Sequence, residues 1–155
     1  MIDALFTKKQ LLELSGMDAA AHTYCSREEL MQPANEIRRG VTPKYDMEEM
    51  LVATVAEALH TVGYGYRDAF QYVRRIQKEP FWQHMKDHAH ASNVWVMAVN
   101  GEEFKVELVG EEFKSLPFKY LLYRADTEGP PVERFSGVDI SKKVGRILEL
   151  AGPSV

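Results

Sequence analysis

The sequence is poor in cysteine: Cys25 is the single one among 155 residues. One thiol cannot form an intramolecular disulfide, and it cannot supply the paired cysteine ligands of a zinc finger. We expect Cys25 to be buried as a small apolar side chain, which is the usual place of an unpaired cysteine. The alternative is a redox-sensing thiol whose pKa is lowered by Arg27.

Long hydrophobic runs are also missing. No stretch approaches the roughly 20 apolar residues that span a bilayer, and residues 1–6 lack the basic region and apolar core of a signal peptide. We therefore expect a cytoplasmic protein with no membrane partner. With 45% hydrophobic and 27% charged residues, the chain has the composition of an ordinary globular protein. Its length suits one compact domain or two small ones.

The sequence carries neither a strong excess of positive charge nor a catalytic motif. A net charge of −4 argues against indiscriminate binding of nucleic acid, although a local basic patch still attracts phosphate. There is no glycine-rich phosphate loop, no GxSxG nucleophile motif and no convincing catalytic pair. We predict that the protein is not an enzyme and has no cofactor.

What the sequence does contain is a series of short helical patterns in residues 1–78. Residues 7–10 have the Thr and Gln spacing of a capping box, and the helix that they begin ends at Gly16. A second helix is predicted over residues 18–31, with Pro33 beyond its end. Two short helices joined by a glycine turn match a helix-turn-helix in length and spacing.

A basic segment and two further helices complete this half of the chain. Residues 34–45 break the helical pattern, and a β-turn or small hairpin with Arg38 and Arg39 near its tip fits them. Residues 46–62 follow the 3.6-residue apolar period behind an Asp and Glu with capping-box spacing. Another helix is predicted over residues 66–77.

Beyond residue 92 the sequence favours strands. Residues 94–99 and 104–108 flank Asn-Gly, the strongest short hairpin signal. Residues 118–125 suit a third strand or a helical turn, and residues 132–135 a short strand. A closing helix is predicted from residue 139 or 141 up to the Gly-Pro at 152–153.

These patterns divide the chain into three parts. Residues 1–78 are predicted to form the first domain, and residues 79–92 a linker or short dimerisation helix. Residues 93–155 are predicted to form a small α+β domain with an antiparallel hairpin. This last part is expected to mediate dimerisation, sensing of a small-molecule effector or contact with a protein partner.

The order of helix, glycine turn, helix, proline, basic segment, tyrosine, long helix and glycine resembles the MerR family of bacterial transcriptional regulators. The resemblance covers about residues 6–78. It is carried by Thr7, residues 11–16, Tyr24, residues 30–33, Gly40, Tyr45 and residues 59–63. The chain differs from the family at Thr23, which stands where the family's second helix usually has an arginine.

The resemblance implies a mainly α-helical, winged helix-turn-helix domain that binds duplex DNA with sequence specificity, as a homodimer on a symmetric operator. Of the ten residues expected to contact DNA, His22 and Thr23 are the candidates for contact with base edges, and the other eight are the candidates for contact with phosphates. Arg67 is a further phosphate candidate. The expected DNA-contacting residues are Thr7, Lys8, His22, Thr23, Tyr24, Arg27, Arg38, Arg39, Lys44 and Tyr45.

Two other functions stay open from the sequence. One is a phage or plasmid architectural protein that bends or packages DNA on a similar fold. The other is a protein-interaction module that has lost DNA binding, as the alanine-rich second helix and the acidic net charge would allow.

Three histidines near the predicted linker form the one pattern that resembles a metal site. His84 and His88 are four residues apart and share a helical face, and His90 follows closely. The alternative, which we favour, is a solvated polar linker that is rich in histidine, so no metal is predicted. Phe81, Trp82 and Trp95 are expected in the core or at an interface, or else in an aromatic pocket for an effector.

Overall fold

The computed structural model describes residues 4–36, 38–89, 92–110 and 133–152. Within these ranges the protein is a mixed α+β fold with six helices and two small antiparallel sheets. None of these six helices is long and apolar enough to cross a membrane. The elements in chain order are β1 (Phe6–Thr7), α1 (Lys8–Ser15), α2 (Ala19–Arg27), β2 (Lys44–Tyr45), α3 (Met47–Thr61), α4 (Tyr66–Ile76), α5 (Pro80–His88), β3 (Ser92–Val99), β4 (Glu103–Gly110), β5 (Phe135–Asp139) and α6 (Ser141–Ala151).

The ends of α1 are set by local hydrogen bonds, as predicted. Thr7 Oγ1 accepts from the backbone N–H of Gln10 at 3.1 Å, and Gln10 Oε1 accepts from the N–H of Thr7 at 2.8 Å. Gly16 ends the helix with φ of 83°, a left-handed conformation that favours glycine. Both the capping box and the glycine stop are confirmed.

The second helix is shorter than predicted. It ends at Arg27 rather than near residue 31, and Glu29 has a left-handed φ of 57°. The helix ends locally at this left-handed residue, beyond which the N–H of Leu30 donates to the Cys25 carbonyl at 2.9 Å. Two residues far along the sequence bind the segment that follows. Arg74 Nη2 donates to the carbonyl of Leu30 at 3.0 Å, and the backbone N–H of Gln32 donates to Glu49 Oε2 at 2.9 Å.

Helix α3 is the central element of the fold. Its residues 49–56 are all buried, and so are Ala58 and Leu59. A helix that is apolar on every side must be covered on every side, and α1, α4, α6 and β3 pack against it.

Two adjacent carboxylates at the start of α3 fix the positions of α4 and α5. The Arg74 guanidinium donates to both oxygens of buried Glu49, at 2.6 and 2.7 Å. Glu48 accepts from Trp82 Nε1 at 2.6 Å and from the ammonium of Lys86. Burial raises the pKa of Glu48, but these hydrogen bonds and one from Gln77 outweigh burial and leave that pKa below its ordinary value.

The pairing of Glu49 with Arg74 explains why the capping box predicted at the start of α3 is only half formed. Asp46 Oδ1 accepts from the backbone N–H of Glu49 at 2.8 Å, as expected. The Glu49 carboxylate does not return to the backbone of Asp46, because it is turned inwards to Arg74.

The second sheet has the strand order β4-β3-β5, with both pairings antiparallel. The predicted hairpin is confirmed: Asn100 and Gly101, with φ of 57° and 71°, lie between the paired residues Val99 and Glu103. The short strand expected at residues 132–135 instead spans Phe135–Asp139. The strand or helical turn expected at residues 118–125 lies outside the described residues.

One hydrophobic core runs through all three predicted parts of the chain. The buried Ile140, Val144 and Ile147, from α6 and the residue before it, belong to the same cluster as α3. Trp82 and Met85 of α5 lie in this cluster too. The core therefore includes residues of the predicted linker or short dimerisation helix at 79–92 and of the predicted α+β domain at 93–155, while the division of the chain into three parts stays a prediction. Apolar periodicity showed that these helices have a buried face, but not that the cover they need is α3.

Removal of Arg74 tests how much the fold depends on the Glu49 pair. Arg74→Ala leaves a buried carboxylate without its partner, and we expect a loss of about 3 kcal/mol in the free energy of unfolding. The measurement is urea unfolding followed by circular dichroism. Arg75→Ala is the matched control, since Arg75 is exposed and lies over the Tyr72 ring at 5.2 Å. Equal losses in the two variants would contradict the assignment.

A second variant tests whether the core is continuous. Ile147 is fully buried in α6, so Ile147→Ala should lower the free energy of unfolding by about 2–4 kcal/mol. Because the core is shared, the whole protein should unfold in one transition, with amide exchange accelerated in α3 as well as α6. Protection of α3 at the wild-type level would show instead that the two parts fold independently.

Candidate nucleic-acid interface

The small sheet joins two segments that lie far apart in the sequence. Phe6 pairs with Tyr45 and Thr7 with Lys44, in antiparallel register. This pairing holds the start of α1, including Lys8, against the base of the loop to which residues 34–36 and 38–44 belong. Basic residues from two regions of the chain are therefore neighbours.

A buried polar contact ties α2 to the same sheet. His22 Nε2 lies 2.7 Å from Tyr45 Oη, and the two rings meet edge to face with centroids 5.9 Å apart. Both residues are core residues, 4% and 1% exposed. The structure thus places these two predicted DNA-contact residues inside the core rather than on the surface. Residues 22 and 25 lie on the helix face that packs inwards, and Tyr45 points into the core from its strand.

Burial keeps this pair uncharged at neutral pH. Burial, and next the positive charge of Lys8, lower the pKa of His22. The pKa of Tyr45 is raised to about 12, chiefly by burial; a hydrogen bond with Ser26 lowers the pKa, and the carboxylate of Glu49 raises it. The pair therefore joins α2 to β2 as a neutral hydrogen bond.

Cys25 lies beside this contact on α2 and is fully buried, as predicted. Burial, and next the carboxylate of Glu57, raise the pKa of the thiol to about 11. A thiol that stays protonated is a poor nucleophile, so the structure favours the packing role over a redox-sensing one.

The basic loop is held in shape by its own polar contacts. At its base, the backbone N–H of Ala34 donates to the Lys44 carbonyl at 2.8 Å. Asn35 joins the two limbs, since its Nδ2 donates to the Thr42 carbonyl at 3.0 Å and its Oδ1 accepts from the N–H of Lys44 at 2.8 Å. The sequence analysis missed Asn35, although asparagine at the start of a loop often bonds to nearby backbone.

The tip of the loop is a β-turn that presents two cations. The N–H of Val41 donates to the Arg38 carbonyl at 3.0 Å, and Gly40 has a φ of 84°. Arg38 and Arg39 are exposed. The predicted β-turn with basic residues at its tip is confirmed, but the strand at its base pairs with β1 rather than within the loop.

The exposed face of α2 is mostly small and weakly polar. Ala19 and Ala20 are exposed beside the capping Asp18, and Thr23 Oγ1 donates to the Ala19 carbonyl at 3.0 Å. The one cation on the exposed face of α2 is Arg27, which lies at the C-terminal end of this helix.

Two pairs of side chains surround that far end of α2. The Arg27 guanidinium is 5.7 Å from the centre of the Tyr24 ring, which is 37% exposed. Arg67 donates to Glu28 at 2.8 Å, and the Glu28 carboxylate offsets the positive charge of Arg67. A cleft of about 130 Å³ separates this end of α2 from the loop, and it is lined by Ser26, Met31, Pro33, Val41, Pro43 and Tyr45.

We use the name basic surface for the predicted residues that stay at least partly exposed, apart from Arg67, which is paired with Glu28. His22 and Tyr45 are outside it because they are buried. The basic surface consists of Thr7, Lys8, Thr23, Tyr24, Arg27, Arg38, Arg39 and Lys44.

No protein-family model matches this chain, and no curated protein matches it. The resemblance to the MerR family therefore rests on the sequence motifs alone and stays a prediction.

The histidines of α5 form a pair. The His84 and His88 rings lie 4.1 Å apart between centroids, and His88 Nδ1 lies 3.0 Å from the His84 carbonyl. His90 lies outside the described residues. In the part of the chain that is described, no three His, Cys, Asp or Glu side chains are grouped closely enough to hold a metal ion.

The lowered pKa of His22 predicts a pH-dependent stability. Because the unfolded chain takes up the proton at a higher pH than the folded chain, the stabilisation is present at neutral pH and is lost as pH falls below about 6.5. His22→Asn should flatten the fall in unfolding free energy between about pH 7 and pH 5.5. His84→Asn, at an exposed histidine, is the control. Parallel pH profiles for wild type and His22→Asn would contradict this role.

Proposed function

We propose that the protein binds duplex DNA through its basic surface and acts as a transcriptional regulator of MerR-like type. One observation carries the proposal. The pairing of β1 with β2, together with the bond between His22 and Tyr45, joins α1, α2 and the basic loop. These are the three elements that a winged helix-turn-helix uses on DNA.

The phosphate contacts come from the two ends of the basic surface. Lys8 stands at the N-terminus of α1, where the helix dipole also favours an anion. Lys44 lies beside it through the strand pairing. Arg38 and Arg39 at the tip of the loop reach the backbone or the adjacent minor groove, where arginine is favoured by the negative potential.

In this proposal, helix α2 contacts DNA mainly through the fit of its surface and less through hydrogen bonds to particular bases. Ala19 and Ala20 suit close apposition to thymine methyl groups, while buried His22 is removed from the set that reads bases. Most of the discrimination between sequences is therefore assigned to the shape and deformability of the DNA.

Two copies of the chain would read a symmetric operator, as in other helix-turn-helix regulators. The apolar face of α5 is used within the core, so we assign the dimer contact to another surface. The cytoplasm is the compartment that this function requires.

A second candidate is an architectural protein that binds DNA without sequence preference. The observation in its favour is the N-terminal half of α2, which presents alanines and the carboxylate of Asp18 rather than exposed hydrogen-bond donors.

Selection of bound duplexes from a random pool, with fluorescence anisotropy across a salt series, tests the proposal. Enrichment of a two-fold symmetric site, with affinity falling steeply as salt rises, supports a dimeric regulator. Salt-dependent binding without enrichment favours the architectural role. Absence of binding at low salt would overturn both and favour a protein partner.

The arginines at the tip of the loop provide a direct prediction. Arg38→Ala/Arg39→Ala should weaken binding to every duplex by roughly 10- to 100-fold, and should lower the slope of log affinity against log salt by about 2. Arg75→Ala/Lys78→Ala removes the same charge from exposed positions outside the basic surface. Similar losses for the two pairs would show that net charge, not the loop, governs binding.

A further inference from the structure

We propose that Lys143 of the last helix contacts a DNA phosphate beside the turn between α1 and α2. The proposal rests on the proposed function and extends the DNA-binding surface into the C-terminal half of the chain, beyond the region that resembles the MerR family.

The Lys143 ammonium lies directly on this turn. Its Nζ is 3.5 Å from the carbonyl oxygen of Ser15. A Cβ added to Gly16 would be only 2.7 Å from the same nitrogen. The side chain therefore extends across the glycine that ends α1, next to the start of α2.

The position of Lys143 is fixed by the core and not by the turn. Val144 and Ile147 of α6 are fully buried, and α6 packs against α1, α3 and β3. The N–H of Ile140 donates to the Val94 carbonyl, and Ser141 Oγ accepts from the N–H of Val94, both at 2.9 Å. These contacts hold the first turn of α6 beside the α1–α2 turn.

The charge of Lys143 is available to an anion. Among the described residues Lys143 makes no ion pair, and its carbonyl partner is at the long limit of a hydrogen bond. Arg146, one helical turn further on, is by contrast paired with Glu149 at 3.6 Å.

A cation at this place adds positive charge beside the N-terminal half of α2, which has none of its own. From Gly16 to His22 the chain supplies the carboxylate of Asp18, apolar or small residues and a buried neutral imidazole. An N-terminal half with this composition would approach DNA phosphates without positive charge of its own. Lys143 supplies that charge, since it lies against the turn from which α2 begins.

The experiment compares the full-length wild type with three variants on a mixed-sequence DNA duplex, by fluorescence anisotropy across a salt series. Lys143→Gln, which keeps most of the side chain, should weaken binding roughly five- to tenfold and lower the salt slope by about 0.9. Lys143→Arg should restore both values. Arg146→Ala removes one charge from the same helix and should change affinity by less than about twofold.

The outcomes separate this inference from the proposed function. If the wild type binds with a steep salt slope and Lys143→Gln behaves like Arg146→Ala, the inference is overturned while DNA binding stands. If the wild type binds no duplex, both are overturned. Urea unfolding of Lys143→Gln checks that the lost affinity does not come from lost folding. Unchanged stability together with a lower salt slope is the result expected for a lost phosphate contact.

Discussion

The burial of α3 on all sides is the constraint on which the rest of the structure depends. Its apolar surface requires cover from α1, α4, α6 and the second sheet. Its first turn also carries two carboxylates, Glu48 and Glu49, which would be costly to bury without partners. Arg74 and Lys86 supply those partners, so the same helix sets both the apolar core and the positions of α4 and α5.

The buried polar contacts also shape the basic surface. Glu49 and Arg74 bind the backbone of Gln32 and Leu30 just beyond the end of α2, and so hold the segment that leads into the basic loop. The contact between His22 and Tyr45 then joins α2 to the base of that loop. The arrangement of the exposed cations thus depends on the neutral and paired groups beneath them.

Two residues show why the candidate site was only partly predictable. His22 and Tyr45 have the residue types expected of DNA contacts, yet each completes the other's hydrogen bond inside the core. Lys143 was not singled out, because no local pattern relates a lysine in the last helix to a turn near the start of the chain. A polar side chain is placed by its partner, and these partners are distant in sequence.

The sequence by itself determined the features that depend on neighbouring residues: the capping box at Thr7, the glycine end of α1, the Asn100-Gly101 hairpin and the apolar faces of the helices. These arise from interactions within a few residues, so the local sequence contains both partners. Only the tertiary structure decided that α5 and α6 share one core with α3 and that His22 is buried. Those outcomes depend on which distant groups meet, and periodicity shows that a face is buried without showing what covers it.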